Sequence, residues 1–81
     1  MTHDQVWKAI ENFAVANRMS CSGLAKNSGL DPTTFNRSKR YSKEGQPRWP
    51  STQSISKILS ATGSGIEDFT KYIDKSDFSR D

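Results

Sequence analysis

The chain has 81 residues, 32% hydrophobic residues and a formal net charge of +3. This length suffices for one small domain, and no apolar run approaches the roughly 18 residues that a membrane span needs. There is no N-terminal apolar segment followed by a cleavage site, so the cytosol is the expected compartment. The single cysteine, Cys21, has no partner for an internal disulfide.

Charge is distributed unevenly along the chain. Residues 67–81 hold five anions and three cations, whereas residues 32–57 hold one anion and six cations, namely Arg37, Lys39, Arg40, Lys43, Arg48 and Lys57. A basic middle followed by an acidic end suggests one face suited to a polyanion.

The first predicted helix covers about residues 3–17. Thr2 followed three residues later by Gln5 forms the pattern of a capping box, in which each residue bonds the other's backbone N–H. Apolar residues then recur at the spacing of one helical face: Val6, Ile10, Phe13 and Ala14.

Two further helices are predicted before residue 40. The second begins after Ser20 or Ser22 and stops at Gly29, since glycine accepts the left-handed conformation that ends a helix. The third covers about Pro32 to Lys39, because Asp31 is a strong N-cap and proline is favoured at the first helical position.

Residues 41–50 contain one glycine and two prolines and are predicted to form a loop. Ser51 is expected to cap a fourth helix that Gly63 ends. A second capping box, Ser64 with Glu67, is expected to open a fifth, whose inward residues are Ile66, Phe69 and Ile73. No segment alternates with a period of two. The sequence therefore predicts an all-α domain of five helices over residues 1–73 and a polar tail over residues 74–81 that frays or starts a linker.

Residues 22–40 meet the requirements of a helix-turn-helix. Ala25 is small enough for close helix approach, and Gly29 suits the tight turn that follows it. Apolar residues stand where the two helices must meet: Leu24, Leu30 and Phe35. The alternative is an ordinary helix pair in a small bundle.

The chain also resembles a known family in two stretches, GLAKNSGLDPTTFNRSKR and PRWPSTQSISKILSATG. These resemble the lambda-repressor-like (XRE/Cro-CI) DNA-binding fold, with the helix-turn-helix as helices two and three. They look like the N-terminal domain of phage-repressor-type bacterial regulators, many of which carry a C-terminal self-cleaving Ser/Lys peptidase domain. The resemblance covers about residues 3–73, although the loop before the fourth helix is long for this fold.

The resemblance implies that the third helix lies in the major groove of DNA. The expected base-reading residues are Thr33, Thr34, Asn36 and Arg37, and the expected phosphate contacts are Lys39, Arg40, Lys43 and Arg48. The chemistry agrees, since arginine can bond guanine O6 and N7 as a pair and asparagine can bond adenine N6 and N7.

Nothing in the sequence indicates an enzyme, a metal site or a cofactor. His3 has no His, Cys or carboxylate set at ligand spacing, and the serines form no catalytic arrangement.

We therefore expect a sequence-specific regulator of transcription, a repressor, that binds double-stranded DNA in the bacterial nucleoid. It is expected to act as a homodimer, by itself or through a C-terminal domain outside this chain. The rival hypothesis is a helical protein-interaction module, antitoxin-like or anti-repressor.

Overall fold

A computed structural model describes residues 1–73 of the chain. Within these residues it has four α-helices: α1 (His3–Ala16), α2 (Cys21–Asn27), α3 (Thr52–Thr62) and α4 (Ile66–Thr70). A short 3₁₀ helix covers Arg37–Lys39, and the described residues pair as β-structure only in one isolated bridge, between Tyr41 and Pro47. The predicted all-α class is confirmed for this part of the chain. The predicted tail, residues 74–81, lies outside the described residues.

The first two helices begin where the sequence predicts. The Thr2 hydroxyl oxygen accepts a hydrogen bond from the Gln5 backbone N–H at 3.1 Å, and Gln5 Oε1 accepts one from the Thr2 N–H at 2.7 Å. The capping box is thus complete, and it satisfies two N–H groups that a helix start leaves without partners. At the start of α2, Ser20 Oγ accepts from the Gly23 N–H at 3.0 Å.

Both predicted ends of α3 are confirmed. Ser51 Oγ accepts a hydrogen bond from the Ser54 N–H at 3.0 Å, which caps the first turn. Gly63 closes the helix in the left-handed conformation with φ 68°, where residues with a Cβ are disfavoured.

The start of α4 lies one residue later than predicted. The capping position is Gly65, not Ser64, and the Gly65 N–H donates to Asp68 Oδ2 at 2.9 Å, so Asp68 takes the role expected of Glu67. This shift turns Ile66 outward, and its side chain is 57% exposed. The prediction that Ile66 faces the core is therefore wrong.

The core is built around α1, which packs against α2 and α4, while α3 packs on α2. At its centre the Phe13 ring meets the rings of Phe69 and Tyr72 edge to face, at centroid distances of 5.7 and 5.6 Å. Tyr72 is only partly buried. Besides Phe13 and Phe69, the buried members of this cluster are Trp7, Ala9, Ile10, Ala14, Leu24, Ala25, Phe35 and Ile58. Each fully buried large apolar side chain contributes about 1.5–3 kcal/mol relative to exposure.

The predicted third α-helix, Pro32 to Lys39, is absent: residues 32–35 form a turn and only Arg37–Lys39 are helical, as one 3₁₀ turn. The Thr34 N–H bonds the Asp31 carbonyl and the Asn36 N–H bonds the Thr33 carbonyl, both at 3.0 Å and both with the spacing of a tight turn.

Side-chain chemistry explains this departure from the predicted helix. The Thr34 hydroxyl donates to the Asp31 carbonyl at 2.6 Å, and Asp31 Oδ1 accepts from the Thr33 N–H two residues on, forming a local Asx turn in place of a helix cap. Two successive β-branched residues also disfavour continued helix. Asn36 then leaves helical geometry, with ψ 152°.

Candidate nucleic-acid interface

The cationic middle of the sequence folds into one connected unit, residues 37–48, which we name the basic segment. It starts with the 3₁₀ turn and continues as a hairpin, residues 40–48. The Arg48 N–H donates to the Arg40 carbonyl and the Ser42 N–H to the Gln46 carbonyl, both at 2.8 Å. The stretch predicted as an irregular loop is therefore partly ordered by its own backbone hydrogen bonds.

The basic segment presents four exposed cations, Arg37, Lys39, Lys43 and Arg48. Within residues 1–73 none of these four forms a salt bridge, whereas Lys8 and Lys71 are each paired with a neighbouring carboxylate on their own helix or at its end. Its only anion is Glu44. Cations that are exposed and unpaired can bind phosphate without first breaking an internal contact.

Arg40 is directed toward α1, unlike the other cations of the basic segment. Its Nη2 lies 2.7 Å from Glu11 Oε2, its guanidinium carbon lies 5.1 Å from the centre of the Trp7 ring, and its side chain is only 16% exposed. The Nε atom is buried and has no hydrogen-bond partner among the described residues. The charge of Arg40 is thus neutralised inside the domain, so the structure does not place this residue with the exposed cations that the sequence grouped it with.

The four predicted base-reading residues divide into two pairs. The hydroxyls of Thr33 and Thr34 both donate to Asp31, one to its carboxylate and one to its carbonyl. Hydrogen bonds from the Thr33 hydroxyl and then from its N–H lower the pKa of Asp31. Asn36 and Arg37, in contrast, are exposed, and their side chains make no hydrogen bond within residues 1–73.

The residues predicted to shape the helix-turn-helix lie at the junction that follows α2. Leu24 and Ala25 are fully buried, Phe35 is 1% exposed, and Leu30 packs on the same core. Gly29 has φ 75°, as its place in the turn predicts. The turn is therefore present, and an irregular segment follows it where the second helix of the motif was expected.

His3 is a residue whose part in this surface the sequence analysis missed. Its Nε2 lies 2.9 Å from the carbonyl oxygen of Arg40 and 2.9 Å from that of Arg48, the two residues that close the hairpin. The Trp7 indole N–H donates to the same Arg48 carbonyl at 2.9 Å. One sequence signal was available: His3 and Trp7 are four residues apart and so share a face of α1.

Two exposed aromatic residues flank His3. The ring of Tyr41 lies 4.9 Å from the imidazole centre and the ring of Trp49 lies 5.8 Å from it. About half of each aromatic side chain remains exposed. His3 is therefore enclosed between Tyr41, at the start of the hairpin, and Trp49, directly after its end.

A second surface, which we name the apolar cleft, lies beside α3 and α4. It encloses about 610 Å³, and no charged side chain of residues 1–73 lines it. Its apolar walls include Met1, Trp49, Ile55, Leu59, Ile66 and Ile73. Met1, Trp49 and Ile66 are each more than half exposed, which is unusual for large apolar side chains grouped on one surface.

The described residues offer little evidence for a metal site, a membrane-spanning helix or a reactive thiol. No three His, Cys, Asp or Glu side chains of residues 1–73 come together as metal ligands. No helix in this part of the chain combines the length and the apolar character needed to cross a bilayer. Burial, followed by the nearby Glu11 carboxylate, raises the pKa of the Cys21 thiol, which keeps it in the less reactive protonated form.

Comparison of the chain with protein-family models, with curated proteins and with solved structures gives no match.

Proposed function

We propose that this chain is a sequence-specific double-stranded DNA-binding regulator, a repressor, that acts in the bacterial cytoplasm. The observation that supports this most directly is the basic segment, whose twelve consecutive residues are ordered by hydrogen bonds. It carries four exposed cations that form no salt bridge with the described residues. The affinity for a polyanion is highest when the protein's cations have no internal partners and already occupy fixed positions before binding.

The proposed contacts follow the geometry of individual side chains. The amide of Asn36 and the guanidinium of Arg37 make no hydrogen bond within residues 1–73, so we assign them to adenine and guanine edges in the major groove. Lys39, Lys43 and Arg48 are assigned to phosphates, since they carry the remaining exposed charge. The two threonines and Arg40 are not assigned to DNA, because their donors or charge serve internal partners.

The proposed fold relation remains that of a lambda-repressor-like domain. Helices α1, α2, α3 and α4 stand at the predicted first, second, fourth and fifth positions, and Leu24, Ala25 and Phe35 are buried as a helix-turn-helix core requires. In this proposal the third helical segment is reduced to the turn and the 3₁₀ helix of residues 32–39. Base contacts then come from an irregular segment that the hairpin supports.

Self-association through the apolar cleft would complete the proposed regulator. A homodimer presents two basic segments to two half-sites, spaced about 34–36 Å or a multiple apart. The cleft suits a second copy because no charged side chain of the described residues lines it. It also shares no residue with the basic segment, so both surfaces can be occupied at once.

The same cleft is the observation that favours the rival function, a helical protein-interaction module. The two proposals differ in what the basic segment does. Selection of bound sequences from a random duplex pool tests this directly. Enrichment of a motif with two-fold symmetry supports the regulator, whereas no duplex retention at moderate salt contradicts it and favours the interaction module.

A further inference from the structure

We propose that the hairpin, residues 40–48, is a preformed DNA-contacting wing and that His3 is the positioning residue that fixes it against α1. This inference rests on the proposed function, since the contacts it positions are contacts to duplex DNA. It adds an element that the exposed cations alone do not specify: a fixed orientation for Lys43 and Arg48 relative to the rest of the domain.

The hydrogen-bond pattern at the base of the hairpin carries the inference. The carbonyl of Arg40 accepts from the Arg48 N–H, and its oxygen also lies 2.9 Å from His3 Nε2. The carbonyl of Arg48 accepts from the Trp7 indole N–H and also faces His3 Nε2. Nε2 also lies 3.1 Å from the Trp7 indole nitrogen. We assign the ring proton to Nε2, so that His3 donates to the two carbonyls and the indole N–H donates to the Arg48 carbonyl.

A second attachment joins the hairpin to the same helix. The Arg40 side chain pairs with Glu11 and lies against the Trp7 ring, two turns along α1 from His3. Attachments at two points along one helix restrict rotation of the hairpin as well as its separation from the helix. The imidazole is itself held between Tyr41 and Trp49, and its side chain is only 12% exposed.

The exposed tip of the hairpin lies outside the hydrophobic core, although Arg40 at its base is bonded to α1. No residue of the hairpin belongs to the buried core cluster, and the residues at its turn, Lys43, Glu44 and Gly45, are exposed. What the anchor does is hold charged side chains in place before binding. Ordering a loop during binding costs affinity, because each side chain that becomes immobilised loses rotamer entropy.

The test is a double-mutant cycle on a duplex of arbitrary sequence, with affinity measured over a range of salt concentrations. In the otherwise unchanged protein, Lys43→Ala should lower the slope of log K against log salt by about 0.9 for each phosphate that the lysine neutralises. In a His3→Ala background the same change should lower the slope by less than half as much, because the hairpin no longer holds Lys43 against the DNA backbone.

Two further variants make the cycle specific. Lys57→Ala removes another exposed lysine, on α3 and outside the hairpin, and should have the same effect in both backgrounds. His3→Gln restores an N–H at about the place of Nε2 and should restore at least half of the coupling between the two positions. If His3→Ala does not fold, Trp7→Phe takes its place in the cycle, since it removes the indole donor to Arg48 and keeps an aromatic ring.

The outcomes separate the two proposals. If Lys43→Ala weakens binding equally in both backgrounds, or has no effect in either, the hairpin is not a positioned wing although duplex binding stands. If the unchanged protein binds no duplex at low salt, the proposed function fails and the wing fails with it.

Discussion

Arg40 and Glu11 form the shortest ion pair in residues 1–73, with 2.7 Å between Nη2 and Oε2, and this contact joins the basic segment to α1. The guanidinium also lies over the Trp7 ring. Arg40 therefore carries the same charge as the neighbouring cations of the basic segment, but its charge is paired inside the domain whereas theirs are exposed. The two kinds of position should differ in their effect on stability.

Arg40→Ala should lower the free energy of unfolding by about 1–3 kcal/mol. It removes the 2.7 Å contact to Glu11, which then keeps only its 3.8 Å pair with Lys8, and it removes the packing on the Trp7 ring. Arg37→Ala, at an exposed and unpaired position, should stay within about 0.5 kcal/mol of the unchanged protein. Urea denaturation measures both. The assignment of Arg40 to an internal role is contradicted if its removal leaves stability unchanged and makes the salt dependence of DNA binding shallower.

Gly29 should tolerate asparagine better than valine. A Cβ at this position meets no atom within 4 Å, so the cost of substitution comes from the backbone conformation, φ 75°, and not from a clash. Left-handed geometry costs most residues about 1–2 kcal/mol, is milder for asparagine and is worst for β-branched side chains. Thermal melting should rank the free energy of unfolding as glycine, then asparagine, then valine. Equal melting of all three would contradict the turn geometry.

The Asp31–Thr33 contact should make the turn after α2 sensitive to acid. Hydrogen bonds from Thr33 lower the pKa of Asp31 in the folded protein, so the contact stabilises the folded state at pH values above the ordinary aspartate range. This contribution disappears as the pH falls through the lowered pKa. In Thr33→Val the pKa of Asp31 should rise toward its ordinary value. NMR titration of the Asp31 carboxyl carbon checks this, and an unchanged titration curve would show that the hydroxyl bond is unimportant.

Ile66→Gln should weaken self-association and leave the fold intact. Ile66 is exposed at the start of α4 and lines the apolar cleft. A symmetric dimer formed through the cleft would lose this apolar side chain from both copies. We expect the dimerisation constant to fall by about tenfold or more. Val15→Gln changes an exposed apolar residue of α1 that does not line the cleft and serves as the control. Sedimentation equilibrium measures both. Equal weakening by the two variants, or by neither, would exclude the cleft as the self-association surface.

Local signals in the sequence predict much of this fold. Thr2 with Gln5, Ser51 and Gly63 mark helix ends through bonds that span only a few residues, and the structure places each as predicted. The helix predicted after Asp31 is absent for a local reason too. Side chains of Asp31 and Thr34 bond the backbone groups that a helix would use. A strong N-cap indicates where a helix could begin and does not ensure that one forms.

The candidate site is harder to predict because its decisive contacts are long-range. Nothing near Arg40 in the sequence shows that Glu11 neutralises it, and nothing near His3 shows that it meets two carbonyls of a hairpin about forty residues away. Sequence composition locates the cations, but only the fold separates the paired arginine from the exposed ones. The sharing of one α1 face by His3 and Trp7 was the available clue, and it gave no indication of what that face contacts.

The proposal that the basic segment reads duplex DNA is tested most directly by comparing Asn36→Ala with Lys43→Ala on a selected duplex and a scrambled one, each over several salt concentrations. Asn36→Ala should cost about 1–3 kcal/mol on the selected duplex, much less on the scrambled one, and should leave the salt slope unchanged because an amide displaces no counterion. Lys43→Ala should weaken binding to both duplexes alike and make both slopes shallower. If Asn36→Ala weakens both duplexes equally, or if neither variant changes binding, the basic segment does not read DNA.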